Sequence, residues 1–190
     1  MTPLIALGVA AVVFVIAALF AVSAYNSLVR MREGVRSAWA QIDVQLKRRY
    51  DLIPNLVETV KGYAAHEKET LTNVIAARNN AVAAAGTGDA ARLSAAEGQL
   101  TGALRQLFAV AEAYPDLKAN QNFMALQGEL TSTENQIGGY RQRYNSTVQQ
   151  YNTAILSFPN NLIAGPFGFQ AQPFFEIQDA AQREAPAVKF

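Results

Sequence analysis

From Leu4 to Ala24 the chain carries 21 residues without a charge, and only Gly8 and Ser23 among them are not hydrophobic. As a helix at about 1.5 Å per residue, the stretch is about 31 Å long, enough to cross the hydrocarbon core of a bilayer. It has no polar face at any angle, so residues 1–24 are read as a transmembrane anchor. After Tyr25 the pattern changes to a helical period of 3.5–3.6 residues, which continues to Phe158. Leu28, Val35 and Ile42 recur every seven residues, with Trp39 and Leu46 interleaved, so the first soluble stripe continues directly from the apolar helix.

The next stripe runs through Ile53, Val57, Val60, Ala64, Leu71, Val74 and Val82. Between the two stripes lie Lys47, Arg48 and Arg49, favourable at a helix C-terminus, then Asp51 as an N-cap candidate and Pro54 in the turn that follows. These signals predict a tight turn or sharp kink at Tyr50–Asp51. Helices over 25–49 and 52–85 would be about 37 and 51 Å long. That mismatch leaves two readings open: a tilted second helix, or one longer helix that Pro54 only kinks. Gly86-Thr87-Gly88-Asp89 marks a loop, a third helix carries Leu93, Leu100, Leu104 and Leu107, and Tyr114-Pro115-Asp116 closes it. The fourth stripe is the longest. Phe123, Leu130, Ile137, Tyr144, Tyr151 and Phe158 lie seven apart, with Leu126, Tyr140, Val148 and Ile155 on the adjoining seam, as in coiled-coil-like packing. Phe158-Pro159 ends it.

No strand pattern competes. The fold expected is all-α: one N-terminal transmembrane helix followed by an antiparallel bundle of three or four long helices over residues 25–157. Residues 158–190 form a different kind of tail, apolar and rich in Pro and Phe, with a frayed end after Glu176. Phe158, Phe167, Phe169, Phe174 and Phe175 make it too apolar for an idle linker. Two readings stay open: a strap packed across a bundle end, or an interface with membrane or partner.

Composition narrows the function classes. A net charge of +1 gives no support for a nucleic-acid surface, and the absence of cysteine removes disulfides, thiolate metal sites and a thiol nucleophile. Arg30, Arg32 and Arg36 follow the span and no basic residue precedes it. The positive-inside rule then puts the soluble domain in the cytoplasm, with a periplasmic domain as the alternative. A cleaved signal sequence is the competing reading of the span. Val22-Ser23-Ala24 offers small residues for cleavage, but the run is long and lacks a basic lead.

Candidate chemistry is thin. His66-Glu67-Lys68-Glu69-Thr70 begins like a helical zinc-protease motif, but Thr70 stands where the second ligand belongs, and His66 is read as a partly exposed helical residue. Gly86-Thr87-Gly88 lacks the preceding strand and the lysine of a phosphate cradle. Asp43, Arg48, Asp51 and Asn55 cluster near the expected turn, where capping and salt bridges explain them better than acid–base catalysis. Tyr25 sits where the span would leave the bilayer. Tyr144 and Tyr151 are read as core aromatics whose hydroxyls bond a neighbouring helix.

The run Tyr25-Asn26-Ser27-Leu28-Val29, then Ala38-Trp39-Ala40-Gln41-Ile42-Asp43-Val44-Gln45-Leu46-Lys47-Arg48-Arg49, resembles the LemA family of bacterial membrane proteins. So do Asp51-Leu52-Ile53-Pro54-Asn55-Leu56-Val57, Val60-Lys61-Gly62-Tyr63, Tyr114-Pro115-Asp116-Leu117, Tyr151-Asn152 and Phe158-Pro159. The resemblance covers the chain from the span to about Phe175. It implies one N-terminal span, a helical domain and no catalytic activity. It also implies a gene neighbourhood shared with membrane metalloproteases of the HtpX type, and a relative among magnetosome membrane proteins. The expectation is a self-associating, membrane-anchored helical scaffold of the bacterial inner membrane, without enzyme activity, cofactor or metal. The alternative is a regulatory partner of such a protease or another envelope enzyme. The partners expected are the lipid bilayer, further copies of the chain and a second membrane protein.

Overall fold

The computed structural model describes residues 2–175. Helices follow in the order α1 (Thr2–Lys61), α2 (Lys68–Ala85), α3 (Ala90–Ala111), α4 (Pro115–Lys118), α5 (Gln121–Leu156) and α6 (Asn161–Ala164), and no strand occurs among the described residues. The all-α reading with an N-terminal apolar helix holds. The described residues group into two compact units, 2–39 with 143–173 and 40–142 with 174–175.

In the first unit, residues 3–20 of α1 are exposed throughout. Burial begins at Ala24 and follows Leu28, Val35 and Ala38 on α1 and Tyr144, Val148, Tyr151 and Ile155 on α5. The two segments run antiparallel. Trp39 meets Tyr144 edge-on at 5.3 Å between ring centroids, and a Cβ placed on Gly34 would stand 3.7 Å from the Thr147 methyl. After a cis Phe158–Pro159 bond, the chain makes the single turn α6, passes Gly168 with φ of 70°, and lays residues 169–173 back along α5. Phe158, the sixth member of the long stripe, therefore falls outside the helix and is 79% exposed.

The second unit is an up-down-up-down bundle of the latter part of α1, α2, α3 and the first part of α5. Its core takes Ile42, Leu46, Ile53, Leu56, Val74, Leu93, Leu100, Leu107, Leu130 and Ile137. Asp89 caps α3 by accepting from the amides of Ala91 and Arg92 at 2.9 and 3.1 Å.

Of the two readings left open for this region, the structure shows the single longer helix, and no turn forms at Tyr50–Asp51. Helix α1 runs through Pro54 to Lys61, and Asp51 is an exposed mid-helix residue and no cap. The break comes at Gly62–Glu67, where the amides of Tyr63 and Ala64 both bond the Val60 carbonyl. His66 lies exposed in that turn, so it is not helical. The reason α1 survives its proline sits on another helix. Pro54 has no N–H for the Tyr50 carbonyl, and Arg78 Nε of α2 donates to that oxygen at 3.3 Å instead. Arg78→Ala is therefore expected to destabilise the protein by about 1–2 kcal/mol, and much less in a Pro54→Ala background that restores the helical donor. A double-mutant cycle by chemical denaturation checks this, and additive effects would contradict it.

Candidate functional site

The most concentrated polar chemistry lies inside the second unit. Arg49 is 3% exposed and Glu97 is 1% exposed, on the apolar faces of α1 and α3. Arg49 Nη1 lies 2.9 Å from Glu97 Oε2 and 2.7 Å from Glu134 Oε2, and Nη2 donates to Thr101 Oγ1 at 2.8 Å. The Tyr50 hydroxyl donates to the other Glu97 oxygen, Oε1. Arg141 brings Nη2 to 3.7 Å from Glu97 and lays its guanidinium over the Phe175 ring at 4.5 Å. Two arginines thus face two glutamates, drawn from α1, α3 and α5.

Electrostatics follow from that enclosure. Burial raises the Tyr50 hydroxyl well above the ordinary tyrosine range, and the Glu97 charge and hydrogen bond add to the effect. Tyr50 therefore remains a protonated donor throughout the neutral range. Burial lowers Arg141, while Glu97 and Glu134 pull the other way. Arg49 already serves Glu97, Glu134 and Thr101, which leaves little of it for a ligand. A cleft of about 200 Å³ opens beside it, walled by Leu104, Phe108 and Leu130 with Thr131 and Glu134 at its rim. It is smaller than the usual small-molecule pocket, and no nucleophile with an adjacent base lines it. Among the described residues, no group of three or more His, Cys, Asp or Glu side chains is arranged to hold a metal ion.

The residues singled out in the sequence are dispersed. Asp43, Asp51 and Asn55 are exposed along α1, and Pro54 is half-buried within it. Arg48 does make a salt bridge, to Glu129 of α5, and takes no part in a turn. Of the two seam tyrosines, Tyr144 donates to the Pro173 carbonyl of the returning tail at 2.9 Å, so its partner is not a helix. The Tyr151 hydroxyl is buried without a hydrogen bond. Burial raises both hydroxyls, and Arg32 partly opposes the effect at Tyr151. Burial along the tail is uneven. Phe169 is buried against Tyr25, with Arg32 over its ring at 5.2 Å, and Phe175 is buried under Arg141. Phe158, Phe167 and Phe174 are exposed.

The Arg49–Glu97 pair went unread in the sequence, although a signal was present. Glu97 stands between Leu93 and Leu100 at helical spacing, and Arg49 between Leu46 and Ile53. A charge on the core-facing stripe of two different helices is the mark of a buried ion pair.

An exposed apolar N-terminal helix, long α-helical hairpins and a core that encloses arginine–glutamate ion pairs define a membrane-associated helical protein. The chain belongs to the LemA family, whose model matches residues 38–190. It is similar to the magnetosome protein MamQ of Magnetospirillum gryphiswaldense, 26% identical over 179 residues that cover 82% of this chain and 66% of that one. Magnetosome protein MamQ 1 of Paramagnetospirillum magneticum matches with the same figures. Protein LemA of Metamycoplasma hominis is 27% identical over 144 residues, covering 73% of this chain and 63% of that one. The chain spans about two thirds of the length of these relatives.

Proposed function

We propose that this protein is a membrane-anchored helical scaffold that associates with further copies of itself and catalyses no reaction. The observation that carries the reading is the uncovered apolar stretch of α1. Residues 3–20 are exposed to a man, with Leu4, Phe14 and Leu19 at 74, 74 and 67%. Lipid and neighbouring spans are the surfaces that suit such a helix. Gly8, Ala11 and Ala18 fall on one face of it and permit close helix–helix approach, and a Cβ at Gly8 meets nothing of the chain itself. The similarity to magnetosome proteins supports a structural role in a membrane. Arg30, Arg32 and Arg36 support a cytoplasmic position for the helical domain.

Cross-linking of the full chain in native membranes tests the reading. Discrete oligomers are expected, and Gly8→Leu is expected to weaken them by on the order of 1 kcal/mol. A protein that stays monomeric at every density in the membrane would contradict the proposal.

A further inference from the structure

We propose that the loop after α5 makes a second contact with the bilayer, dipping Phe158, Leu162 and Phe167 into the headgroup region of the leaflet from which α1 emerges. The observations lie within the first unit. Phe167 and Phe169 both pack edge-on against Tyr25, at 5.1 and 5.6 Å between ring centroids. Tyr25 is the residue that follows the uncharged stretch, less than one helical turn beyond Val22, which is still 58% exposed. The loop is thereby held at the level where the apolar helix surface ends, a depth that favours aromatic rings. Large apolar side chains face away from the fold, with Leu156 75% exposed, Phe158 79%, Leu162 63% and Phe167 61%, and the polar side chains exposed among them, Ser157, Asn161 and Gln170, are uncharged.

Charge is distributed to suit the same surface. From Tyr144 to Phe175 the chain has no charged residue at all. A loop entering the headgroup and upper acyl layer therefore brings no ion with it. On α1, three arginines, Arg30, Arg32 and Arg36, face a single glutamate, Glu33, within the first turns beyond the span. That excess of positive charge complements the phosphates of an anionic leaflet. Apolar residues without charge at the tip and arginines a few turns along are the two ingredients of interfacial anchoring, which buries an apolar face about 5–10 Å into the headgroup boundary.

The inference rests on α1 crossing the bilayer, and one experiment separates the two. The chain contains no cysteine, so single cysteines at Phe158 and Leu162 can each carry a nitroxide label without other changes. Companion labels sit at Val12 in the apolar stretch and at Ser146, exposed on α5 about 15 Å before the helix ends at Leu156, at about 1.5 Å per residue. The full chain is reconstituted in vesicles of phosphatidylcholine and phosphatidylglycerol, and collisions with oxygen, which concentrates in lipid, are compared with those of a water-soluble nickel chelate. Labels at 158 and 162 are expected to show an oxygen-to-nickel ratio several-fold above that at 146 and below that at 12. A ratio at 158 and 162 equal to that at 146, with 12 in lipid, would overturn the loop contact alone. A water-exposed label at 12 would overturn the anchor and the loop contact together. Dipolar broadening at 162 with a water-like ratio would assign the patch to a second copy and also overturn the proposal.

Discussion

Glu97→Ala is expected to destabilise the protein by about 3–5 kcal/mol, because it takes the fully buried carboxylate from Arg49 and leaves that guanidinium only the partly exposed Glu134. Arg49 at 3% exposure cannot turn to water, and its remaining carboxylate, Glu134, is already engaged at 2.7 Å. The Tyr50 hydroxyl loses its acceptor in the same step, and Arg141 loses the nearest negative charge on α3. Glu97→Gln keeps an acceptor for Tyr50 and should fall between the two. The combined change of Arg49→Met, Tyr50→Phe and Glu97→Leu removes the buried pair and its tyrosine together, leaving the more exposed Glu134 beside Arg141, and is expected to recover most of the loss, since replacing a buried ion pair with apolar residues is often neutral or favourable. Chemical denaturation of the detergent-solubilised full chain, followed by loss of helix signal, measures all of these variants. A loss below about 1 kcal/mol for Glu97→Ala would show that water reaches Arg49.

The second large effect is expected at Phe169. Phe169→Ala removes a ring that is 6% exposed, packs on Tyr25 and lies under Arg32. Truncating a buried phenylalanine costs about 3–5 kcal/mol, and here the loss falls on the docking of the returning tail. What then holds residues 169–173 is polar: Asn152 Nδ2 donates to the Gln172 carbonyl at 2.9 Å, its Oδ1 accepts from the Gln172 amide at 2.8 Å, and Tyr144 binds Pro173. Cleavage between 157 and 173 is expected to accelerate on the order of a hundredfold, tracking the population of the open form. Chymotrypsin is the protease of choice, because this segment contains several phenylalanines and no Lys or Arg. Phe158→Ala, at an exposed position, should leave the rate near that of the parent. Equal rates for the parent and Phe169→Ala would show that the polar bonds alone secure the tail.

The sequence conveys period far better than it conveys boundaries. Leu28, Val35, Ile42, Leu130, Ile137, Tyr144 and Tyr151 are all buried as their spacing demands, because helical period is a property of one element and its single buried face. The sequence leaves a turn and one continuous helix both open near Asp51 and Pro54 for a physical reason. Capping and proline signals are local, whereas the donor that keeps α1 intact, Arg78, stands 24 residues further along the chain, and nothing near Pro54 announces it. The boundary at Gly62 carries one modest local signal, a glycine after a basic residue, within an apolar stripe that continues to Ala64. Phe158 kept the heptad spacing but fell beyond the end of α5, since counting sevens does not detect where a helix stops. The tail was legible as apolar and irregular, yet its division into buried Phe169 and Phe175 and exposed Phe158 and Phe167 depends on which rings meet Tyr25, Arg32 and Arg141.

The carbonyl at Tyr50 also sets an order of events during synthesis. The part of α1 before Pro54 leaves the ribosome ahead of α2, with every helical donor it needs up to the proline. At that moment Arg78 has not been made, and water must occupy the Tyr50 oxygen. Only when α2 has been translated and has folded back past the turn at 62–67 can that water be exchanged for a guanidinium. The helix that opens the chain is thus completed by a residue made later, and its final turns become secure together with the first hairpin.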